Sequence, residues 1–331
     1  RFPLDFSWPD QPGSMKLIIQ IPCYNEAETL PRTLADLPSD IPGITAIETL
    51  VVDDGSSDAT VDVAREHGVD HILRLGTNRG LATAFQEGIR KALGLGADIV
   101  VNTDGDNQYV GEDIAKLVVP ILESKADLVV GCRPIWDHEE FTLGKKMLQS
   151  AGSFVLRTIS RTSVRDAASG FRAFSRTACR RLFIHSRFSY CMETLIQAGN
   201  SGLRVESVDI RVNRKTRPSK LFKSIPQYLR KSGGTILFMF LLYRPFAFFA
   251  TCAAPFFIGA FFIGIRYLYL VFLMPGGPEP GRTYVPSLIL LAVLTMIGSV
   301  LFLAGVVSSL FSAQRRLLET VLTRLDEFRE R

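Results

Sequence analysis

Two stretches of this chain, residues 245–265 and 283–314, contain no charged side chain. No other feature limits the fold as much, because a helix exposed to water carries a polar face. The first stretch is apolar around its whole circumference, with phenylalanines crowding residues 246–262. A hydrocarbon core of about 30 Å is crossed by roughly 20 helical residues, and both stretches are long enough. Between them, Met274-Pro275-Gly276-Gly277-Pro278-Glu279-Pro280-Gly281 cannot continue a helix and suits a tight connection. Two spans in a helical hairpin are therefore expected, in place of two buried helices of a soluble domain.

The rest of the chain must form a folded body. Of 331 residues, 47% are hydrophobic and 21% charged, with a net charge of +5, which excludes disordered and collagen-like chains. Cys23, Cys132, Cys179, Cys191 and Cys252 are scattered without Cys-x-x-Cys spacing, so no disulfide framework is expected and the soluble part fits a reducing cytosol. Residues 204–231 carry nine Lys/Arg against Glu206 and Asp209, whereas the hairpin loop offers only Glu279 and Arg282. The positive-inside rule then places the soluble body and both termini in the cytoplasm. Residues 1–14 lack the apolar core of a signal peptide, and Gly13-Ser14 before Met15 reads as a cloning remnant; this segment is given no function.

The first two hundred residues alternate short apolar strands with helices. Strands are expected at residues 17–21, 48–53, 71–75, 97–103 and 127–131, and helices after Asn25, Asp58, Asn78 and Gly111. This is the pattern of an α/β domain with a mostly parallel, Rossmann-like sheet covered on both faces. Chemistry in such sheets gathers at the carboxyl ends of strands. Tyr24-Asn25-Glu26, Asp53-Asp54-Gly55-Ser56 and Asp104-Gly105-Asp106-Asn107-Gln108 each follow a strand directly, so they should share one rim.

Several familiar sites fail on spacing. The chain has no Gly-x-x-x-x-Gly-Lys-Ser/Thr, no Gly-x-Gly-x-x-Gly after the first strand and no His-Glu-x-x-His. A calcium loop starting at Asp104 would put Tyr109 where glycine is required and Ala115 where a bidentate Glu belongs. What fits is a hard oxygen site for Mg²⁺ or Mn²⁺ from Asp104, Asp106 and Gln108. Such a metal keeps phosphate oxygens among its ligands, so a diphosphate-bearing partner is implied. The alternative, a solvated acidic turn, accounts less well for three polar clusters on one edge.

Taken in order, Ile21-Pro22-Cys23-Tyr24-Asn25-Glu26, Val52-Asp53-Asp54-Gly55-Ser56-Ser57-Asp58, Asn78-Arg79-Gly80, Asp104-x-Asp106-x-Gln108 and Ser169-Gly170-Phe171-Arg172 resemble the family 2 glycosyltransferases of the GT-A fold. Within them the chain is most similar to the polyprenyl-phosphate branch, the dolichyl-phosphate mannose synthase-like enzymes, over roughly residues 16–245. The resemblance implies metal-dependent, inverting transfer of a hexose from a UDP- or GDP-sugar to a polyprenyl monophosphate. It places Pro22, Tyr24, Glu26 and Asp53 in the nucleoside pocket with Arg79 nearby. Asp104 would contact the ribose or the metal, and Asp106 and Gln108 would hold the metal against the diphosphate. Asp58 reads instead as a helix N-cap.

A phosphate acceptor removes the need for a general base, because a phosphomonoester with a second pKa near about 6 is already largely an anionic nucleophile at cytosolic pH. It needs cationic positioning. Arg133, Lys146 and Ser150 stand where the family binds the lipid phosphate, although Lys146 replaces an arginine found in some members and would grip as a point charge. Asp166 and Arg172 flank the Ser169-Gly170 turn, which by resemblance closes over donor or acceptor.

Residues 220–231 place Leu221, Phe222, Ile225, Tyr228 and Leu229 on one side at helical spacing, as an interfacial helix should. The expected organisation is a leader over 1–15, the GT-A domain over 16–215, interfacial helices over 216–243, spans over 244–274 and 284–312 joined by an extracytoplasmic loop over 275–283, and a cytoplasmic tail over 313–331. Partners are a nucleotide-diphosphate sugar, a polyprenyl phosphate lipid and the membrane, with no nucleic acid; a homo-oligomer is a family expectation. One rival is a processive polysaccharide synthase, which would carry a Gln-x-x-Arg-Trp signature that neither Trp8 nor Trp136 supplies. The other is a non-catalytic nucleotide-sugar scaffold, which has no need of the metal carboxylates.

Overall fold

The computed structural model describes residues 15–134, 160, 162–184, 190–213, 234, 237, 238, 240–273 and 284–329. Lys146, Ser150, the basic stretch 214–233 and the hairpin loop 274–283 lie outside the described residues. The chain divides into two units, Arg1–Thr235 and Ile236–Arg331.

The first unit is built on a seven-stranded sheet. Its strands are β1 (Lys16–Cys23), β2 (Ala46–Asp53), β3 (His71–Arg74), β4 (Ile99–Asn102), β5 (Leu128–Cys132), β6 (Arg172–Ser175) and β7 (Val205–Asp209), in the order β3-β2-β1-β4-β6-β5-β7. β6 pairs antiparallel with β4 and β5, and every other pairing is parallel. Helices α1 (Leu30–Ala35), α2 (Thr60–Glu66), α3 (Leu81–Gly94) and α4 (Ile114–Leu122) follow the first four strands, as the sequence pattern predicts. α5 (Arg176–Arg181) and α6 (Tyr190–Asn200) flank the later strands. This is the α/β, GT-A-like architecture expected.

The inner strands are buried on both faces. Leu17, Ile18, Ile19, Ile21, Leu50, Val51, Val52, Ile99 and Val101 are wholly inaccessible to water, which explains continuous apolar runs in place of a period-two alternation. The exception is Gln20, also fully buried in β1. Its amide donates to Asn102 Oδ1 at 2.9 Å, and only a glycine at 88 leaves it room, since a Cβ there would lie 2.4 Å from Gln20 Oε1. Two strands escaped the sequence reading. β6 opens on a charged residue, Arg172, and β7 alternates weakly at an edge, so neither shows an apolar run.

Because β6 runs against its neighbours, the carboxyl ends of the other strands and the amino end of β6 lie on one edge. The register aligns Cys23 with Asp53, Asp53 with Arg74, and Asn102 with Arg172. The tight turn at Gly55, with φ of +74° and backbone atoms of Thr77 and Asn78 within 2.8 Å of where a Cβ would sit, packs the β2–α2 loop against the β3–α3 loop.

The second unit contains α7 (Pro245–Leu268), continued by a π-helical turn over Tyr269–Leu273, and α8 (Val285–Arg329). Pro255 lies inside α7. Both helices contain a segment long and apolar enough to cross a membrane, Pro245–Leu273 and Val285–Arg315. They pack antiparallel: Phe246 meets Phe302 edge-on at 5.5 Å, Tyr267 meets Tyr284 at 6.5 Å, and Gly298 and Gly305 receive Phe257 and Phe249. The outward faces expose Phe261, Phe262, Phe272, Leu303, Leu310 and Phe311. α8 does not stop where the apolar stretch ends but continues as one helix of 45 residues, about 68 Å at 1.5 Å per residue.

Candidate active site

Three loops converge at the carboxyl edge, tied by hydrogen bonds in which the β2–α2 loop is the hub. Asn25 N donates to Ser56 Oγ at 2.9 Å, Glu26 N to Thr60 Oγ1 at 2.8 Å and Ala27 N to Asp58 Oδ2 at 3.2 Å. Asp53, buried, accepts Ser56 N at 2.9 Å, and Arg74 Nε lies 3.9 Å from its other oxygen. Asp54 receives the backbone N–H groups of Arg79 and Gly80 at 2.7 and 2.9 Å, which fixes the start of α3. Asp58 accepts Thr60 N at 3.0 Å, but the capping position of α2 is Ala59, so the expected N-cap is one residue off and Asp58 braces the Tyr24–Glu26 loop as well.

These ties leave a defined set of side chains at the rim. The Tyr24 ring is 42% exposed, an aromatic face open to a planar ligand. Arg79 is exposed while its backbone is held. Pro22 is buried at the end of β1 beside Val52. Glu26 accepts Thr29 Oγ1 at 3.0 Å, and the same hydroxyl reaches Gly105 O at 2.8 Å, linking the first cluster to the third. Arg74 is a rim residue that the sequence did not single out; it closes β3, in register with Asp53, and its place at the carboxyl end of an apolar run was the available signal.

The third cluster follows β4. Asp106 Oδ1 accepts the N–H of Gln108 at 3.1 Å, and Asn107 adopts a left-handed backbone at φ of +55°. Burial and the adjacent Asp106 carboxylate push the pKa of Asp104 well above the usual carboxylate range, Arg133 pulls it back, and Glu26 adds to the rise. Carboxylates crowded in this way favour a positive charge between them. Among the described residues, no three His, Cys, Asp or Glu side chains converge as a ready-made metal cage. The residue types offered after β4, the carboxylates of Asp104 and Asp106 and the amide of Gln108, are hard oxygen donors of the kind a divalent cation takes alongside water and phosphate.

On the other side of Asp104 stand a cation and a turn. Arg133, just past β5, grips Asp166 through Nε to Oδ2 at 2.7 Å and Nη2 to Oδ1 at 3.1 Å. Burial works against the guanidinium charge, but Asp166 more than offsets it and Arg133 stays a cation at every working pH. Asp166 also accepts Ala168 N at 3.3 Å and shapes the turn that leads to β6. Gly170 presses on Asp104: a Cβ at 170 would fall 3.2 Å from Asp104 Oδ1 and 2.8 Å from Tyr190 Oη. The Gly170 carbonyl accepts from Asn102 Nδ2 at 3.0 Å and Tyr190 Oη at 3.2 Å, and its N–H donates to Tyr109 Oη at 3.2 Å.

Arg172 flanks the Ser169-Gly170 turn from the β6 side. It is fully buried and donates to Ser169 O, Cys191 O, Thr194 Oγ1 and Ala167 O at 2.7 to 2.9 Å. It staples the turn to α6 from within the core. Asn102 and Tyr190 carry the turn from the other side and had no motif to reveal them.

Residues 18–183 match the sequence profile described as Glycosyl transferase family 2. An undecaprenyl-phosphate mannosyltransferase of Micrococcus luteus is 31% identical over 62% of this chain and 88% of its own length. A UDP-N-acetylglucosamine–dolichyl-phosphate N-acetylglucosaminyltransferase of Methanococcus voltae is also 31% identical, over 58% of this chain and 83% of its own. Among solved structures, glucosyl-3-phosphoglycerate synthase of Mycobacterium tuberculosis in complex with Mn²⁺, UDP and phosphoglyceric acid superposes with a TM-score of 0.53 at 18% identity, covering 69% of this chain and 78% of that one.

Proposed function

Because the chain belongs to glycosyl transferase family 2, we propose that it moves a hexose from a UDP- or GDP-sugar onto a polyprenyl monophosphate, with inversion at the anomeric carbon. The observation that carries this reading is the clustering at Asp104, which follows β4, lies against the Gly170 turn and is within electrostatic reach of both the Asp106 carboxylate and the Arg133 guanidinium. A leaving diphosphate and an attacking phosphate both need positive charge, and a rim with a carboxylate pair next to a fixed guanidinium can serve both. The relatives named for undecaprenyl and dolichyl phosphate support the lipid acceptor.

Mg²⁺ or Mn²⁺, held by Asp104, Asp106 and Gln108, would supply charge neutralisation of the departing nucleoside diphosphate. The solved neighbour containing Mn²⁺ and UDP supports a divalent ion. Tyr24 offers its exposed side chain to the base, Asp53 and Glu26 supply hydrogen-bond acceptors to the nucleoside, and Arg79 adds positive charge at the phosphates. Arg133 orients the acceptor phosphate, aided by Lys146 and Ser150, which lie outside the described residues. A phosphate oxygen forms the new bond to the anomeric carbon as the bond to the diphosphate breaks on the opposite face, and the electron pair leaves with the diphosphate. No proton needs removal. Asp166, the carboxylate beside Arg133, is engaged in a bidentate ion pair and serves to hold that arginine.

The two apolar helices anchor this chemistry in a membrane as a multi-pass protein, with the catalytic unit and both termini on the cytoplasmic side. The test is direct. Purified protein in detergent or liposomes is incubated with radiolabelled UDP- and GDP-hexoses, Mg²⁺ or Mn²⁺, and polyprenyl phosphate, with free polyprenol as the control acceptor. A labelled, mild-acid-labile glycolipid that requires the phosphate is expected; no product with any donor, or equal product with polyprenol, would overturn the reading.

A further inference from the structure

The metal-binding loop is braced from outside by the segment that leaves β7. Asn213 N donates to Gln108 O at 2.8 Å, and Asn213 Nδ2 donates to Asn107 O at 3.1 Å. Val212 forms an antiparallel bridge with Tyr109. Arg211 is pinned to Asp113 by its backbone N–H at 2.6 Å and its guanidinium at 2.8 Å, with Glu112 at 2.9 Å. Three consecutive residues thus run antiparallel along residues 107–113.

The bracing matters because the shape depends on a left-handed residue at 107, a conformation asparagine tolerates better than most residues but still holds at some cost. Asn107 stands at φ of +55°, a region that a non-glycine residue occupies at a cost, and the peptide after it points its carbonyl at Asn213. The same turn brings the Gln108 N–H onto Asp106 Oδ1 and so orients the carboxylate. Released from Asn213, residue 107 could relax, and Asp106 would lose the geometry in which it meets a cation.

We propose that Asn213 is a positioning residue for the divalent metal, acting through Asn107 and Gln108 to preorganise Asp106. It touches neither donor nor acceptor. The inference rests on the metal reading above and adds a residue from the segment after β7, more than a hundred positions away in sequence.

The experiment reads metal binding apart from turnover. Mn²⁺ uptake by the full chain is followed by electron paramagnetic resonance, with UDP and with GDP, for wild type, Asn213→Ala and Asn213→Leu, the second keeping the side-chain volume. Loss of an outer partner of a metal ligand usually weakens binding about 10–100-fold. Both variants should bind Mn²⁺ at least about tenfold more weakly, melt within a few degrees of wild type, and recover near-normal kcat when Mn²⁺ is saturating. If Asn213→Ala unfolds, Asn213→Leu carries the comparison. Wild-type Mn²⁺ affinity in a folded variant would overturn the role of Asn213, whereas a wild type that binds no Mn²⁺ with either nucleotide would overturn the metal reading itself, a distinct result.

Discussion

Arg133 and Asp166 form a two-pronged ion pair at 2.7 and 3.1 Å, with the Asp166 side chain fully buried and that of Arg133 15% exposed. The arginine that the sequence points to for the acceptor phosphate is thus held in place by a carboxylate from the segment leading into the Ser169-Gly170 turn. An arginine fixed in this way presents its remaining N–H groups in one direction, which suits a phosphate more than a swinging side chain would.

Asp166→Asn should therefore raise the KM for polyprenyl phosphate more than it lowers kcat. It should also cost up to about 3–5 kcal/mol of stability, because it strands a buried guanidinium. The pair R133M/D166L should recover most of that stability while leaving acceptor binding poor. Chemical denaturation alongside acceptor titrations separates the two effects, and normal acceptor KM in the folded double variant would refute the role of Arg133.

Asp106→Asn should lower turnover on the order of a hundredfold or more, with the melting temperature unchanged, because it removes charge where the departing diphosphate needs it balanced. Near-normal activity on raising Mg²⁺ would remove Asp106 from the metal set.

Gly170→Ala should be poorly tolerated. Its Cβ would come within 2.8 Å of Tyr190 Oη and 3.2 Å of Asp104 Oδ1, and neither can retreat easily. Tyr190 is stacked on Phe85 at 4.0 Å and bonded to Asn102 at 2.8 Å. A loss of about 1–3 kcal/mol is expected from overpacking, with weaker Mn²⁺ binding from the displaced carboxylate. A thermal melt and a Mn²⁺ titration check it; a melt and affinity like wild type would show that the turn yields.

Asp113 gives an acid-side prediction. Burial alone would raise its pKa, but hydrogen bonds from Arg211 and Lys116 hold it below the ordinary carboxylate range. The unfolded chain therefore binds a proton there first, and the stabilisation is full above the unfolded pKa of about 3.9 and lost as pH falls through the folded value. Asp113→Asn should be less stable than wild type at pH 7, and the gap should close under acid. Denaturant midpoints from pH 7 to 2.5 measure it, and a gap independent of pH would rule the linkage out.

How much of this was written in the sequence depends on distance along the chain. The first four strand–helix units were legible because burial on both faces demands apolar runs such as Leu17–Ile21 and Val51–Val52, and because polar clusters right after such runs must sit at a carboxyl edge. The two uncharged stretches and the metal motif were equally local. Arg172 shows the limit: a motif arginine near a site is as consistent with contact to substrate as with a buried staple, and only packing against α6 decided for the staple. In the same way, Asp58 accepts the Thr60 N–H at the start of α2 much as a cap would, but its second bond, from Ala27 N, ties in a loop from another strand that no local pattern could reveal.

Sequence alone determined the fold class, the apolar hairpin segments and the residue types at the rim, since each follows from periodicity, hydropathy or composition within a short window. Tertiary structure alone decided that β6 runs backwards between β4 and β5, and so brings Gly170 onto Asp104 and Asp166 onto Arg133. It also decided that the exit from β7 hydrogen-bonds the loop that follows β4. Such contacts join residues about 30 to more than 100 positions apart, where no local pattern constrains the partner and only the closing of the sheet selects it.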